Sequence, residues 1–70
     1  MDIINSICVT MYYVVEHDGA INSMIDTTGK PNNYGQPKLF DTMADARKWI
    51  LKKTYKGMTV SYSVKEWEGR

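Results

Sequence analysis

The sequence predicts an α+β fold, a small antiparallel sheet of three to four strands with one helix packed on one face. Three observations support this prediction. Residues 7–17 are rich in β-branched and aromatic types, and the Asp18-Gly19 pair that follows is a strong hairpin signal. A capped amphipathic segment begins at Met43, and residues 58–67 alternate between apolar and polar side chains. The predicted order is strand, strand, an optional short strand, helix, strand.

The first strand carries apolar side chains on both of its faces, which is typical of the centre of a sheet. On a period of two, Tyr13 lies on one face and Tyr12 on the other. We expect Tyr13, together with Phe40, Trp49 and Tyr62, to fill the core. Tyr12 is expected to be exposed, as are Tyr34, Tyr55 and Trp67.

The return strand of the hairpin is predicted over residues 20–27, with Ile21 and Ile25 facing inward. Residues 38–40 could form a short third strand before the helix. At the other end of the chain, residues 1–10 keep the strand alternation in phase. We therefore expect them to lengthen the first strand.

The helix has clear signals at both predicted ends. Thr42 is a good N-cap, and Asp45 three residues later makes a variant of the capping box. The apolar face continues to about Tyr55, and Gly57 is predicted to end the helix as its C′ residue. The closing strand over 58–67 should then bury one face and expose the other.

Length and composition describe one small domain over residues 1–70, with a compact core over about 7–67 and a loop over 28–37. The chain is 43% hydrophobic and 24% charged, with a net charge of +1. A uniformly basic nucleic-acid binder and a disordered acidic segment are both excluded by this balance. The charge is nevertheless unevenly distributed, because residues 1–29 contain no Lys or Arg.

Several classes of site are unsupported by the residue counts. One cysteine and one histidine cannot form a disulfide framework or supply the four ligands of a structural zinc site. We expect no metal and no cofactor. No apolar run approaches the roughly 20 residues of a membrane span, and no secretory signal is evident, so the expected partners include no membrane and the expected location is cytoplasmic.

Catalysis is not expected, and no catalytic residue is assigned. The neighbours of His17 on a strand point to opposite faces, so Glu16, His17 and Asp18 do not form a dyad. His17, beside the hairpin turn, is expected to be a solvated edge residue. The spacing of the glycines matches neither a P-loop nor a dinucleotide-binding fingerprint.

Two segments are candidates for binding. Lys48, Lys52 and Lys56 recur every four residues with Tyr55 beside them, which predicts an electropositive ridge suited to an acidic protein groove or a phosphate backbone. The alternative is the solvated face of an amphipathic helix.

The second candidate is the loop over residues 28–37, with Asn33 and Tyr34 as its contact residues. Six of its ten residues are Gly, Pro or Asn. Long loops often carry binding residues, but the simpler interpretation, a mobile connector, is the one that the sequence favours.

Residues 39–50, with the pattern Phe-x-Thr-x-x-Asp-Ala-x-x-Trp-Ile, resemble a sequence pattern of very small phage and mobile-element proteins. In these proteins a β-hairpin leads into such a helix and then into a closing strand. The resemblance implies a stoichiometric inhibitor of a host defence or regulatory protein, anti-CRISPR proteins being the best-known group. It transfers no functional residue.

The same pattern is similar to the arm-binding domain of tyrosine-recombinase integrases, in which a three-stranded sheet contacts DNA. The strand over 58–67 and the lack of basic residues in 1–29 depart from that domain. We therefore expect a non-catalytic binding protein, encoded by a phage or prophage, that occupies a surface of a host protein. The alternative is a small nucleic-acid-binding module that uses the basic helix face, and the oligomeric state is left open.

Overall fold

The computed structural model describes residues 10–68, which form a three-stranded antiparallel sheet in the order β2-β1-β3 with one helix on one face. The α+β prediction is confirmed, and the first strand is central as predicted. Of the predicted extension over residues 1–10, Thr10 begins the first strand and residues 1–9 lie outside the described residues. The elements are β1 (Thr10–Asp18), β2 (Ile21–Met24), α1 (Met43–Lys53) and β3 (Ser61–Glu68).

The hairpin between β1 and β2 turns at Gly19-Ala20, because Asp18 pairs with Ile21. Gly19 has a φ of 63°, and no non-glycine residue of the described range has a positive φ. A positive φ at the first central position alone is the pattern of a type II′ turn. The predicted hairpin is therefore present, but its central pair lies one residue later than Asp18-Gly19.

The core consists of Val14, Ile25 and Ala46, which are buried between the sheet and α1. Val14 pairs directly with Val64, so the even-numbered residues of β1 and β3 face the helix. The partly buried side chains packed around this core are Tyr12, Phe40, Trp49, Ile50, Tyr62 and Val64.

The prediction that Tyr13 fills the core and Tyr12 is exposed was wrong. Tyr12 packs on the core. Tyr13 lies on the open face of the sheet, where its ring meets Trp67 edge-on at 5.8 Å. Ile21 is 65% exposed, so its inward placement was also wrong. It follows Gly19-Ala20 directly and lies beyond the end of the helix-covered core.

Phe40 forms a single bridge to Tyr12 instead of belonging to a third strand. The two residues exchange both backbone hydrogen bonds, at 3.0 and 2.8 Å. Asp41 and Thr42 then turn the chain into α1, which limits the pairing to one residue. The bridge places the Phe40 ring near Trp49, with 6.4 Å between ring centroids.

The helix begins as predicted and ends earlier. The Thr42 hydroxyl accepts a hydrogen bond from the Asp45 N–H at 3.1 Å, which confirms the N-cap. At the other end Thr54 is extended, and both its N–H and its hydroxyl donate to the Ile50 carbonyl, at 2.9 and 2.8 Å. Gly57, with a φ of 90°, lies in a separate turn, so its assignment as the C′ residue was wrong.

Candidate functional site

The loop between β2 and α1 is organised by the Asp26 carboxylate, which is only 8% exposed. One carboxylate oxygen, Oδ1, accepts from the Thr28 N–H at 2.9 Å, the Thr28 hydroxyl at 2.6 Å and the Lys30 N–H at 3.1 Å. The other oxygen, Oδ2, accepts from the Asn32 side-chain amide at 3.2 Å. A single side chain therefore binds three alternate residues of the loop, at positions 28, 30 and 32.

These hydrogen bonds favour the charged form of Asp26. The Thr28 hydroxyl and the Lys30 N–H are the main causes, and they outweigh the opposing effect of burial, so the pKa of Asp26 falls to about 2. The carboxylate stays ionised over the whole physiological range. It is acting as a structural acceptor, because its lone pairs are committed to the loop.

The loop backbone is also paired with the end of the hairpin. Asp26 and Thr27 donate to the carbonyls of Lys30 and Gln36 at 2.8 and 3.1 Å, and Lys38 donates to the Ile25 carbonyl at 3.0 Å. Single bridges join Ile25 to Pro31 and Asp26 to Pro37. The backbone of residues 28–37 is therefore tied to β2 and its continuation, which favours an ordered loop over a mobile connector.

Gly35 allows the loop to close on itself. A Cβ at this position would lie 2.9 Å from the Asn32 amide nitrogen and 3.5 Å from the Asp26 Cβ. The first distance is shorter than real Cβ contacts allow. Glycine here accommodates the close approach of the Asn32 side chain, which a Cβ would force to shift, and the reason is not conformational because Gly35 does not have a positive φ.

The two predicted loop residues have different roles. The Asn33 side chain accepts from the Met24 N–H at 2.8 Å and donates to the Asn22 carbonyl at 3.3 Å, so it fastens the loop to β2. Tyr34 is 98% exposed, while its N–H donates to the Asn32 side chain at 2.9 Å. The backbone beneath Tyr34 is thus held in place and its ring is presented to solvent.

The predicted lysine ridge is only partly continuous. Lys48 and Lys52 lie on α1 four residues apart, on one side of the helix. Because the helix ends at Lys53, Tyr55 and Lys56 do not extend that side, so the ridge geometry predicted for them was wrong. Tyr55 is 67% exposed, and a role of these four residues in binding stays a prediction.

The prediction that His17 is a solvated edge residue is wrong. Its side chain is part of the sheet. It lies on the central strand, where Nδ1 is hydrogen-bonded to the Asn22 side-chain oxygen at 2.6 Å and Nε2 to the Ser63 hydroxyl at 2.7 Å. These bonds link β1 to both of its neighbours. The imidazole is therefore occupied on both nitrogens.

Tyr62 is the other titratable side chain with a shifted pKa. Burial, and then the neighbouring Glu16 carboxylate, raise the pKa of the Tyr62 hydroxyl above its usual value. Both side chains belong to a cross-strand pair on the helix side of the sheet. The phenol therefore stays neutral at physiological pH.

Within residues 10–68, no three His, Cys, Asp or Glu side chains are grouped in a way that could hold a metal ion. The one helix in this range is too short to cross a membrane. Comparison with known proteins finds no matching family model, no similar curated protein and no similar solved structure.

Sequence reasoning named Asn33 and Tyr34 but missed the residue that positions them. The signal was present as Asp26-Thr27-Thr28-Gly29, since an Asp followed two residues later by Thr and then Gly is typical of an Asx turn. The network reaches further, to Lys30 and Asn32, and no local pattern specifies those bonds. We define the Tyr34 loop as residues 27–38.

Proposed function

We propose that this chain is a non-catalytic binding protein that occupies a surface of a partner protein, with Tyr34 as the anchor of the contact. The observation that supports this proposal is the combination of an almost fully exposed aromatic side chain with a backbone held by the Asp26 network. Exposed tyrosines are frequent hot spots of protein interfaces.

Pre-organisation is the physical reason why this loop is favoured over the lysine ridge. Binding through a loop that is already ordered avoids the entropic cost of ordering it in the complex. Tyrosine adds a large rigid surface with a hydroxyl for orientation, at the cost of two side-chain torsions. Lys48 and Lys52 are long exposed side chains, which contribute modest and salt-sensitive attraction.

The partner we propose is a host protein of a phage or prophage that encodes the chain, such as a defence or nucleic-acid-handling complex, in the host cytoplasm. The sequence resemblance to small phage proteins supports this choice of partner class. Inhibition or modulation by occupancy requires a folded scaffold and one contact surface, and the sheet and helix of residues 10–68 together with the exposed Tyr34 ring support this mode of action.

The alternative function is nucleic-acid binding through the basic helix face. Arg47, Lys48 and Lys52 are exposed there, and Lys53 lies over the Trp49 ring at 5.4 Å. Three or four exposed cations would give sequence-independent affinity for phosphates that falls steeply with salt.

The experiment is affinity capture from host lysate by the immobilised full chain, compared with three variants. Tyr34→Ala removes the proposed anchor, Tyr55→Ala is the matched control for an exposed tyrosine, and Lys48→Ala/Lys52→Ala tests the ridge. We expect one protein to be retained in stoichiometric amount, to survive nuclease treatment, and to lose about tenfold or more in affinity with Tyr34→Ala alone.

Two results would contradict the proposal. Retention that disappears after nuclease treatment and in the double lysine variant would favour the nucleic-acid alternative. A retained protein that binds Tyr34→Ala as tightly as the unchanged chain would remove the Tyr34 loop from the interface.

A further inference from the structure

The two edges of the sheet differ in how they are covered. The edge at β2 continues into Ile25 and Asp26, which are bridged to the Tyr34 loop at Pro31 and Pro37. Among residues 10–68, only β1 pairs with β3, so every second residue of the eight in β3 has backbone groups on its outer edge that no strand in this range pairs with. An edge of this kind is a template for pairing with another strand.

The pattern of hydrogen bonds identifies which groups point outward from β3. Tyr12 exchanges both backbone bonds with Phe40, and the Val14 carbonyl accepts from Ile25, so the even residues of β1 bond away from β3. In an antiparallel ladder, bonding alternates along each strand. The odd residues of β3 therefore bond to β1, and the N–H and C=O groups of Tyr62, Val64 and Glu66 face the free edge.

Beside this edge, α1 and β3 enclose an open groove of about 480 Å³. Met43, Arg47 and Leu51 follow one another at intervals of four on the helix and line one side. Leu51 is 72% exposed and Met43 is 37% exposed. On the other side lie Tyr62, Ser63 and Val64. A helix face with two exposed apolar side chains and one arginine thus lies next to an open backbone edge.

The sequence of β3 favours pairing with itself in one register. When two copies of β3 pair antiparallel about Val64, residues 61–67 of each strand are opposed and no like charges face each other. Moving the centre to Lys65 or Glu66 places that charged residue opposite its own copy. Moving it to Ser63 leaves only residues 61–65 of the strand paired.

Charge complementarity also supports the Val64-centred register. It places Glu66 of the second copy opposite Tyr62, which lines the same groove as Arg47. A carboxylate would therefore enter a groove that carries a guanidinium, and the two-fold axis repeats this arrangement.

We propose that the free edge of β3 is a homodimer interface, in which a second copy pairs about Val64 to give a continuous six-stranded sheet. The Tyr34 loop lies at the other edge of each protomer, so both loops stay accessible in the dimer. This inference does not depend on the proposed function, and the two can fail separately.

The test is the mass of the full chain by sedimentation equilibrium, measured up to about 100 µM, a range that detects weak interfaces. We expect a reversible dimer. Glu66→Pro removes an outward N–H while leaving the β1–β3 bonds intact, and it should weaken the dimer at least tenfold. Glu66→Ala, which keeps the N–H, is its control for the side chain, and Tyr34→Ala should leave the dimer unchanged.

A charge exchange locates the interface more closely. Arg47→Glu alone and Glu66→Lys alone should each weaken the dimer, and the two together should restore most of its affinity. Thermal unfolding of every variant separates a lost interface from a lost fold. A chain that stays monomeric, a dimer that tolerates Glu66→Pro, or a dimer that Tyr34→Ala dissociates would each overturn the proposal.

Discussion

The two segments that lead into and out of the helix are both polar and both largely exposed, yet they are held very differently. Residues 27–38 are fastened by four bonds to one carboxylate and by backbone pairing with the end of the hairpin. Between α1 and β3, the described backbone contacts are the Thr54 cap and one bond from Met58 to the Tyr55 carbonyl. A high content of turn residues therefore does not indicate mobility when a buried acceptor gathers their N–H groups.

The difference decides which candidate surface can be pre-organised. Tyr34 lies on the segment bound by the Asp26 network, whereas Tyr55 and Lys56 lie on the segment whose described backbone bonds are the Thr54 cap and the bond from Met58 to Tyr55. Helical spacing predicted one ridge from Lys48 to Lys56, but that prediction depended on the helix passing Lys53. The double capping by Thr54 on Ile50 ends it there.

Removing the Asp26 carboxylate should cause the largest loss of stability among the changes that test this difference between the two segments. Asp26→Ala leaves the N–H groups of Thr28 and Lys30 without their acceptor, and we expect the melting temperature to fall by on the order of 10 °C. Asp41→Ala, at an exposed carboxylate, is the control and should change it little. Equal melting temperatures for both variants would show that the network does not stabilise the fold.

Acid should loosen the same segment. The pKa of Asp26 is lowered to about 2 in the fold from its usual 3.8, so its contribution is complete above about pH 4 and is lost as the pH falls towards 2. Thermal unfolding between pH 5 and pH 2 measures this loss. Asp26→Asn should flatten that part of the profile, and a variant with an unchanged slope would assign the pH dependence to other carboxylates.

A methyl group at Gly35 tests the closeness of the loop. Gly35→Ala places a Cβ 2.9 Å from the Asn32 amide, and we expect a loss of about 1–3 kcal/mol in the free energy of unfolding. In the background of Asn32→Ala the same change should cost clearly less, because the clashing atoms are gone. Additive losses in denaturant unfolding would mean that the two residues do not meet.

The smallest loss of stability is expected at Thr54, where the segment between α1 and β3 begins. Thr54→Ala deletes one of two hydrogen bonds to the Ile50 carbonyl while the backbone bond remains, so we expect a loss of about 0.5–1 kcal/mol. Thr54→Ser keeps the hydroxyl and should recover most of it. If denaturant unfolding gives Thr54→Ala a larger loss in the free energy of unfolding than Gly35→Ala, the segment after α1 is held more strongly than the Tyr34 loop, which contradicts the comparison.

The sequence predicted the features that depend on local patterns. The hairpin, the Thr42 cap and the closing strand follow from turn chemistry, capping and alternation over a few residues. Which face of β1 is buried did not follow, because both faces are apolar and the choice depends on where the helix packs. That tertiary choice buried Tyr12 and left Tyr13 to pair with Trp67.

The candidate site also combines features that local sequence predicts with features that depend on tertiary contacts. Exposure of Tyr34 was predictable from its turn-rich surroundings, but its support was not. The bonds from Lys30 and Asn32 to Asp26 form only when the loop folds back over the end of the hairpin. His17 follows the same pattern, since its partners Asn22 and Ser63 are brought to it by the pairing of three strands.

The central claim is that the Tyr34 loop is ordered before any partner binds, and amide hydrogen exchange of the free chain tests it directly. The N–H groups of Thr28, Lys30 and Asn32 have acceptors at 2.7–3.1 Å, so we expect them to exchange far more slowly than unstructured amides. For Lys56 and Gly57 no acceptor is found within the described range, and their amides should exchange close to the unstructured rate. Loop amides that exchange as fast as those of Lys56 and Gly57 would contradict the account.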